Sequence, residues 1–260
     1  MCSNRLKLNT NKTQFTCLGT RQQISKIDVS RLPGVDLLPE VTLLGVKLDQ
    51  QLNFAAHFKM VSGRCFYQLR QLRAVRDMLT ADTTRSLIVA LVLNRLDYCN
   101  SVFVGTSDTV ARHFLSVIRA AARLVARRRK FDSISAVIRD ELHWLPFRQR
   151  VDYKLSVVVY NCLHQTAPGY LAEMCHSVAS IPAREILRSA SRGDLVVPRT
   201  RGVLYGPRSF AVTGPTIWNT LPPRLRDPTM TSADFRRQLK TELYCRAYTS
   251  TSMLVTASGR

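Results

Sequence analysis

The chain has 260 residues, 45% hydrophobic and 22% charged, a composition that suits a packed domain and excludes a disordered polymer. Its 38 Lys and Arg against 18 Asp and Glu leave a net charge of +20 and a pI near 10.4, so the partner class to look for is polyanionic, nucleic acid before an anionic membrane surface. A spanning helix needs about 20 apolar residues. The longest strongly apolar run, residues 87–93, is bracketed by Arg85 and Arg95, and no apolar leader follows Met1, so the chain reads as intracellular, nuclear or cytoplasmic, with no membrane partner.

Residues 6–19 alternate apolar and polar around an Asn/Thr-rich centre, which predicts short strands about a turn. After the Pro33-Gly34 turn, residues 41–49 predict a further strand, with Gly45 at a bulge or a close backbone approach. From residue 54 the period changes: Phe54, Phe58, Val61, Cys65, Leu69 and Leu72 recur at three or four and mark an amphipathic helix. Thr80 is placed to cap a second helix, apolar around most of its circumference from Leu87 to Leu96, and Ser107 to cap a third, from about 108 to 128. On that third helix Arg112, Arg119, Arg123 and Arg127 fall near one line opposite Phe114, Ile118, Ala121 and Val125. No acidic residue lies between Asp108 and Asp132, and Arg128, Arg129 and Lys130 extend the charge.

A short helix is expected near 133–142, and Pro146 opens another over 147–165, too long a segment for a strand despite its Val157-Val158-Val159 run. Beyond the polar, basic stretch at 177–192, frequent Gly and Pro with strand-like pieces at 195–197 and 209–212 predict a small α+β tail, closed by a helix that Ser232 caps and that carries Phe235, Leu239 and Leu243. Seven widely spaced cysteines form neither a disulfide framework nor a pair of C-x-x-C knuckles. Cys162, His164, Cys175 and His176 match no common zinc spacing, so no metal site is assigned.

Several stretches, in order along nearly the whole chain, resemble the non-LTR (LINE-type) retrotransposon reverse transcriptases. Asn4-Arg5-Leu6-Lys7-Leu8-Asn9 with Lys12-Thr13 is similar to the family's fourth palm motif, and Leu44-Gly45-Val46-Lys47-Leu48-Asp49 with Leu52 and His57 to the primer-grip hairpin before the thumb. Arg95-Leu96-Asp97-Tyr98-Cys99-Asn100 resembles part of a thumb helix. Leu142-His143-Trp144-Leu145-Pro146, Tyr160-Asn161-Cys162-Leu163-His164 and Gly206 to Phe210 through Gly214 to Asn219 resemble the region beyond it. The resemblance implies an RNA-directed DNA polymerase of a transposable element, working with Mg2+ on palm aspartates, whereas this sequence contains no adjacent Asp-Asp pair. The expectation is therefore a C-terminal fragment that binds a template-primer of RNA and DNA without catalysing its extension, with no cofactor of its own, no small-molecule substrate, and the palm and fingers as a partner in trans. Lys12 is its vestigial palm-motif lysine.

The implied fold class is mainly α with small β elements (α+β). It comprises a partial palm at 1–53, a helical thumb at 54–130, post-thumb helices at 131–176, a linker at 177–192, a C-terminal α+β region at 193–248 and a frayed tail at 249–260. The candidate nucleic-acid-binding residues are Lys59, Arg70 and Arg73 on the first thumb helix, then Arg112, Arg119, Arg123, Arg127, Arg128, Arg129 and Lys130. Trp144, Trp218, Tyr205 and Phe210 read as core anchors beside proline corners rather than base-stacking platforms. No G-x-S-x-G or H-E-x-x-H motif marks a hydrolase. The alternatives are a host-retained module whose helices bind protein, and a truncated reading of an active endonuclease and reverse transcriptase.

Overall fold

Helix-forming, amphipathic stretches dominate the middle of the sequence, and the structure, a computed structural model describing residues 9, 12–28, 34, 36–182, 187–202 and 205–256, is mainly helical with one small sheet. The sheet is the antiparallel hairpin of β1 (Glu40–Leu43) and β2 (Val46–Asp49), in register Leu43 to Val46. Leu44 and Gly45 both have positive φ (48° and 82°), the two-residue turn whose twist matches paired strands. Gly45 thus turns the hairpin rather than forming a bulge. The strands expected at 6–19 lie partly outside the described residues, and within them only Phe15 forms an isolated bridge, to Leu37.

The Asp49 carboxylate ends the hairpin and starts the first helix, accepting hydrogen bonds from the backbone N–H of Gln51, Asn53 and Phe54. Helix α1 (Ala55–Ala74) buries the expected stripe. Helix α2 is continuous through Ala81–Ile88, a π-helical Val89–Leu93 and Asn94–Asp97, with Thr80 accepting from the Thr83 N–H as its N-cap. It buries Thr84, Ile88, Val92, Leu93 and Leu96 while Val89 stays 39% exposed, so it is not buried all round despite its largely apolar circumference. Helix α3 (Asp108–Val125) packs on α1 through stacked Phe58 and Phe114, 4.0 Å apart, with Phe103 and Phe147 edge-on to them. Ser107 stands at its N-cap, but its hydroxyl bonds the Thr109 hydroxyl rather than a backbone N–H of the helix.

Helix α4 (Phe147–Leu163) joins two cores. Phe147, Val151 and Leu155 belong to the bundle core, whereas Val157, Val159, Tyr160 and Cys162 belong to a second core with Trp218, Leu221, Leu225, Phe235, Leu239 and Leu243. The C-terminal part of that second core is helical, not α+β. Residues 209–212 open helix α5 (Phe210–Thr220), Leu195 forms only an isolated bridge to Ser177, and α6 runs Ser232–Thr256. The Pro and Gly that suggested strand punctuation serve the helix: Gly214 lets α5 close on α4, since a Cβ there would lie 3.1 Å from Val159 Cγ2. Thr231, one residue before the expected Ser232, caps α6 by accepting from the Asp234 N–H. Helical backbone continues past residue 249, where fraying was expected, because no Gly or Pro interrupts it before Thr256. Within 177–192, Val178 and Ala190 are buried.

Candidate nucleic-acid interface

Helix α3 builds the candidate interface by sending its two faces to different environments. Phe114, Val117, Ile118, Ala121 and Ala122 are buried against α1, while Arg112 and Arg119 are exposed on the opposite side. At 100° per residue Arg112, Arg119 and Arg123 share an arc of about 40°, and the helical rise spaces them over roughly 16 Å. Asp108 begins the same face. Its carboxylate is taken by Arg148 at 2.6 Å, which with the charge of Arg112 holds it below the usual carboxylate range.

The line is shorter than the periodicity suggests. The helix ends at Val125, and Arg127 takes a left-handed φ of 52°, where a helix exit favours glycine; the Arg128 N–H then closes back on the Arg123 carbonyl. Arg127 therefore leaves the stripe and lies 3.7 Å from Asp77, an acid from a distant segment that local sequence does not reveal. Both groups are exposed, so the pair is worth at most about 1 kcal/mol. Arg123 is half-buried and donates to the Asp132 carbonyl at 3.2 and 3.3 Å, holding the following turn against the helix. The remaining members, Arg112, Arg119, Arg128, Arg129 and Lys130, are exposed and form no ion pair among the described residues. Lys130 lies over the ring of Phe131, 5.3 Å from its centroid, and Phe131 is 89% exposed. This aromatic has no place in the expected site, although its position after four consecutive cations, Arg127 to Lys130, is a usable signal in the sequence.

Lys59, Arg70 and Arg73 are likewise exposed, on a flank of α1 beside its buried stripe. Lys12 is exposed, and its backbone N–H donates to the Asn9 carbonyl at 3.1 Å. The aromatics are core members: Trp144 is 7% and Trp218 3% exposed, and Phe210 packs against both cores, while Tyr205 is half-buried. Trp218 Nε1 donates to the Gly193 carbonyl, and the Asn219 amide exchanges hydrogen bonds of 2.7 and 2.8 Å with the Leu195 backbone. Arg208, also missed, donates to the carbonyls of Leu52 and Val104 and lies over the Phe54 ring, tying the C-terminal part to the bundle.

Of the weighed thiol and imidazole cluster, Cys162 and Cys175 come together, burial pushing the Cys175 thiol up to about 12. His164 instead stacks on Tyr160 and bonds the carbonyls of Tyr160 and Pro228. Among the described residues no three His, Cys, Asp or Glu side chains are gathered to hold a metal ion. None of the described helices is long and apolar enough to cross a membrane. No protein-family model, curated protein or solved structure matches the chain.

Proposed function

We propose that this chain is the thumb and C-terminal region of a LINE-type reverse transcriptase, and that it holds a template-primer of RNA and DNA without carrying out polymerisation. The observation that supports this best is the exposed cationic track of Arg112 and Arg119 continuing into Arg128, Arg129 and Lys130, on a chain of net charge +20. Cationic groups spaced along a helix face and the turn after it neutralise phosphates and release their counterions, which positions a duplex without reading its bases. Lys59, Arg70 and Arg73 supply a second set of such contacts from α1. Any part played by Lys12 in nucleotide transfer requires metal-binding carboxylates supplied in trans.

Fluorescence anisotropy with a labelled RNA–DNA hybrid tests the reading. Changing Arg112, Arg119, Arg128 and Arg129 to Glu is expected to weaken binding by roughly 10- to 100-fold, because four phosphate contacts are replaced by repulsions. The far-UV circular dichroism should not move, since these side chains face water. Equal affinity in the variant would sink the proposal. Primer extension by the chain alone with Mg2+ would sink its non-catalytic half.

A further inference from the structure

Lys130 and Phe131 are the two central residues of a turn that is held from both sides. The Asp132 N–H donates to the Arg129 carbonyl at 3.2 Å, and the Asp132 carboxylate in return accepts the Arg129 N–H at 2.8 Å. From α3 the Arg123 guanidinium donates to the Asp132 carbonyl at 3.2 and 3.3 Å, while the Arg128 N–H closes on the Arg123 carbonyl at 3.0 Å. The turn is thereby fixed to the end of α3. Its tip carries Phe131, at 89% the most exposed large apolar side chain among the described residues. Lys130 Nζ stands over one face of the ring, 5.3 Å from its centroid, and the other face is open to water.

A single exposed apolar residue is ordinary on a protein surface. Phe131 differs in where it stands. It follows Arg128, Arg129 and Lys130, all exposed and without an ion pair among the described residues, and these continue the charges of Arg112 and Arg119. From Arg112 to Arg123 alone the cations of α3 extend over roughly 16 Å, a length that suits a polyanionic chain better than a compact anion. A chain of phosphates with a flat, weakly polar group on every unit satisfies both the cations and the ring. A bilayer fits less well, because Lys130 and Asp132 flank the ring with charge, and even a whole acyl chain holds a protein at a membrane only marginally. Within a duplex the bases stack on one another and offer the ring no face, whereas unpaired bases splay onto aromatic side chains.

We infer that Phe131 is a stacking platform for an unpaired base, with Arg128, Arg129 and Lys130 on the phosphates beside it, so that the site takes a junction of duplex and single strand rather than duplex alone. The inference rests on the phosphate-gripping role proposed for α3 and names the form of nucleic acid that the role serves.

Fluorescence anisotropy of the full chain tests it with labelled RNA–DNA hybrids that are blunt, that carry a short unpaired overhang, or that carry the same overhang made abasic. The intact overhang should bind about 5- to 100-fold more tightly than the abasic one, which offers the same phosphates and nothing to stack. Phe131→Ala and Phe131→Leu should abolish that preference, and Phe131→Trp should keep it, since the larger ring preserves an aromatic face. Arg112→Glu with Arg119→Glu should weaken binding of every hybrid while the preference for bases persists, which separates the ring from the track. Hybrids that bind with no preference for the intact overhang, or a preference unmoved by Phe131→Ala, would overturn the stacking role and leave the phosphate grip standing. Failure to bind any of the hybrids would overturn both. Binding to phosphatidylserine vesicles that is lost in Phe131→Ala, with the preference among hybrids unmoved, would assign the ring to a membrane and overturn the stacking role as well.

Discussion

Arg76 is 6% exposed and forms no ion pair among the described residues, yet each of its three guanidinium nitrogens donates, to the carbonyls of Leu124, Leu79 and Val125 at 2.9 Å each. A cation at a helix C-terminus meets both the unpaired carbonyls and the negative end of the dipole, so Arg76 closes α3 from outside. Arg73, three residues earlier, faces water. Composition and spacing do not separate the two, because the difference arises from a partner 48 residues away. His57 carries a testable consequence of burial. Its Nδ1 accepts the Lys47 N–H at 3.2 Å, and burial, followed by the charge of Arg64, lowers its pKa below the ordinary 6.5. Below 6.5 the unfolded chain takes up a proton that the folded chain still refuses. Stability from this group is therefore complete above 6.5 and falls as pH drops toward the lowered folded value. Urea midpoints at about pH 7.5 and about pH 5.5 should show that loss in the wild type and a smaller one in His57→Gln, which keeps an acceptor but does not titrate. An equal loss in both would remove His57 from the account.

Helix α3 was legible as an element because its apolar positions repeat at helical spacing over five turns and its cations occupy the other side. Its end was not, since Arg127 adopts the left-handed exit that glycine signals elsewhere. Helix α5 was misread for the complementary reason. Gly214 and Pro215 resemble loop punctuation, but Pro215 lies inside the helix and Gly214 sits at the α4 contact, so tertiary packing outweighs local propensity. Gly214→Val should cost about 1–3 kcal/mol, as its added carbons meet Val159 and the Phe210 ring, both 3.1 Å from the new Cβ. The shift of the urea midpoint measures it, and an unchanged midpoint would mean that α4 and α5 do not pack this closely.

At the scale of the molecule, two cores share α4, and a tryptophan marks each: Trp144 in the bundle core and Trp218 in the second. Because one helix serves both and Arg208 ties the segments together, the cores should unfold as a unit. Trp144→Phe and Trp218→Phe variants, each reporting the remaining tryptophan, should give fluorescence transitions that coincide with loss of helical signal. Separate transitions within one variant would show two independent units. The charge on which the proposed function rests is also a property of the whole, +20 overall, with a concentration at α3 and the turn that follows it. The measurement that bears most directly on a phosphate-gripping role is the affinity for an RNA–DNA hybrid across a series of KCl concentrations. If Arg112, Arg119, Arg128, Arg129 and Lys130 each engage a phosphate, log K should fall against log salt with a slope near −4 or steeper. Arg112→Glu with Arg119→Glu should make that slope shallower by about 2. A wild-type slope shallower than about −1, or a slope unchanged by the two reversals, would contradict it.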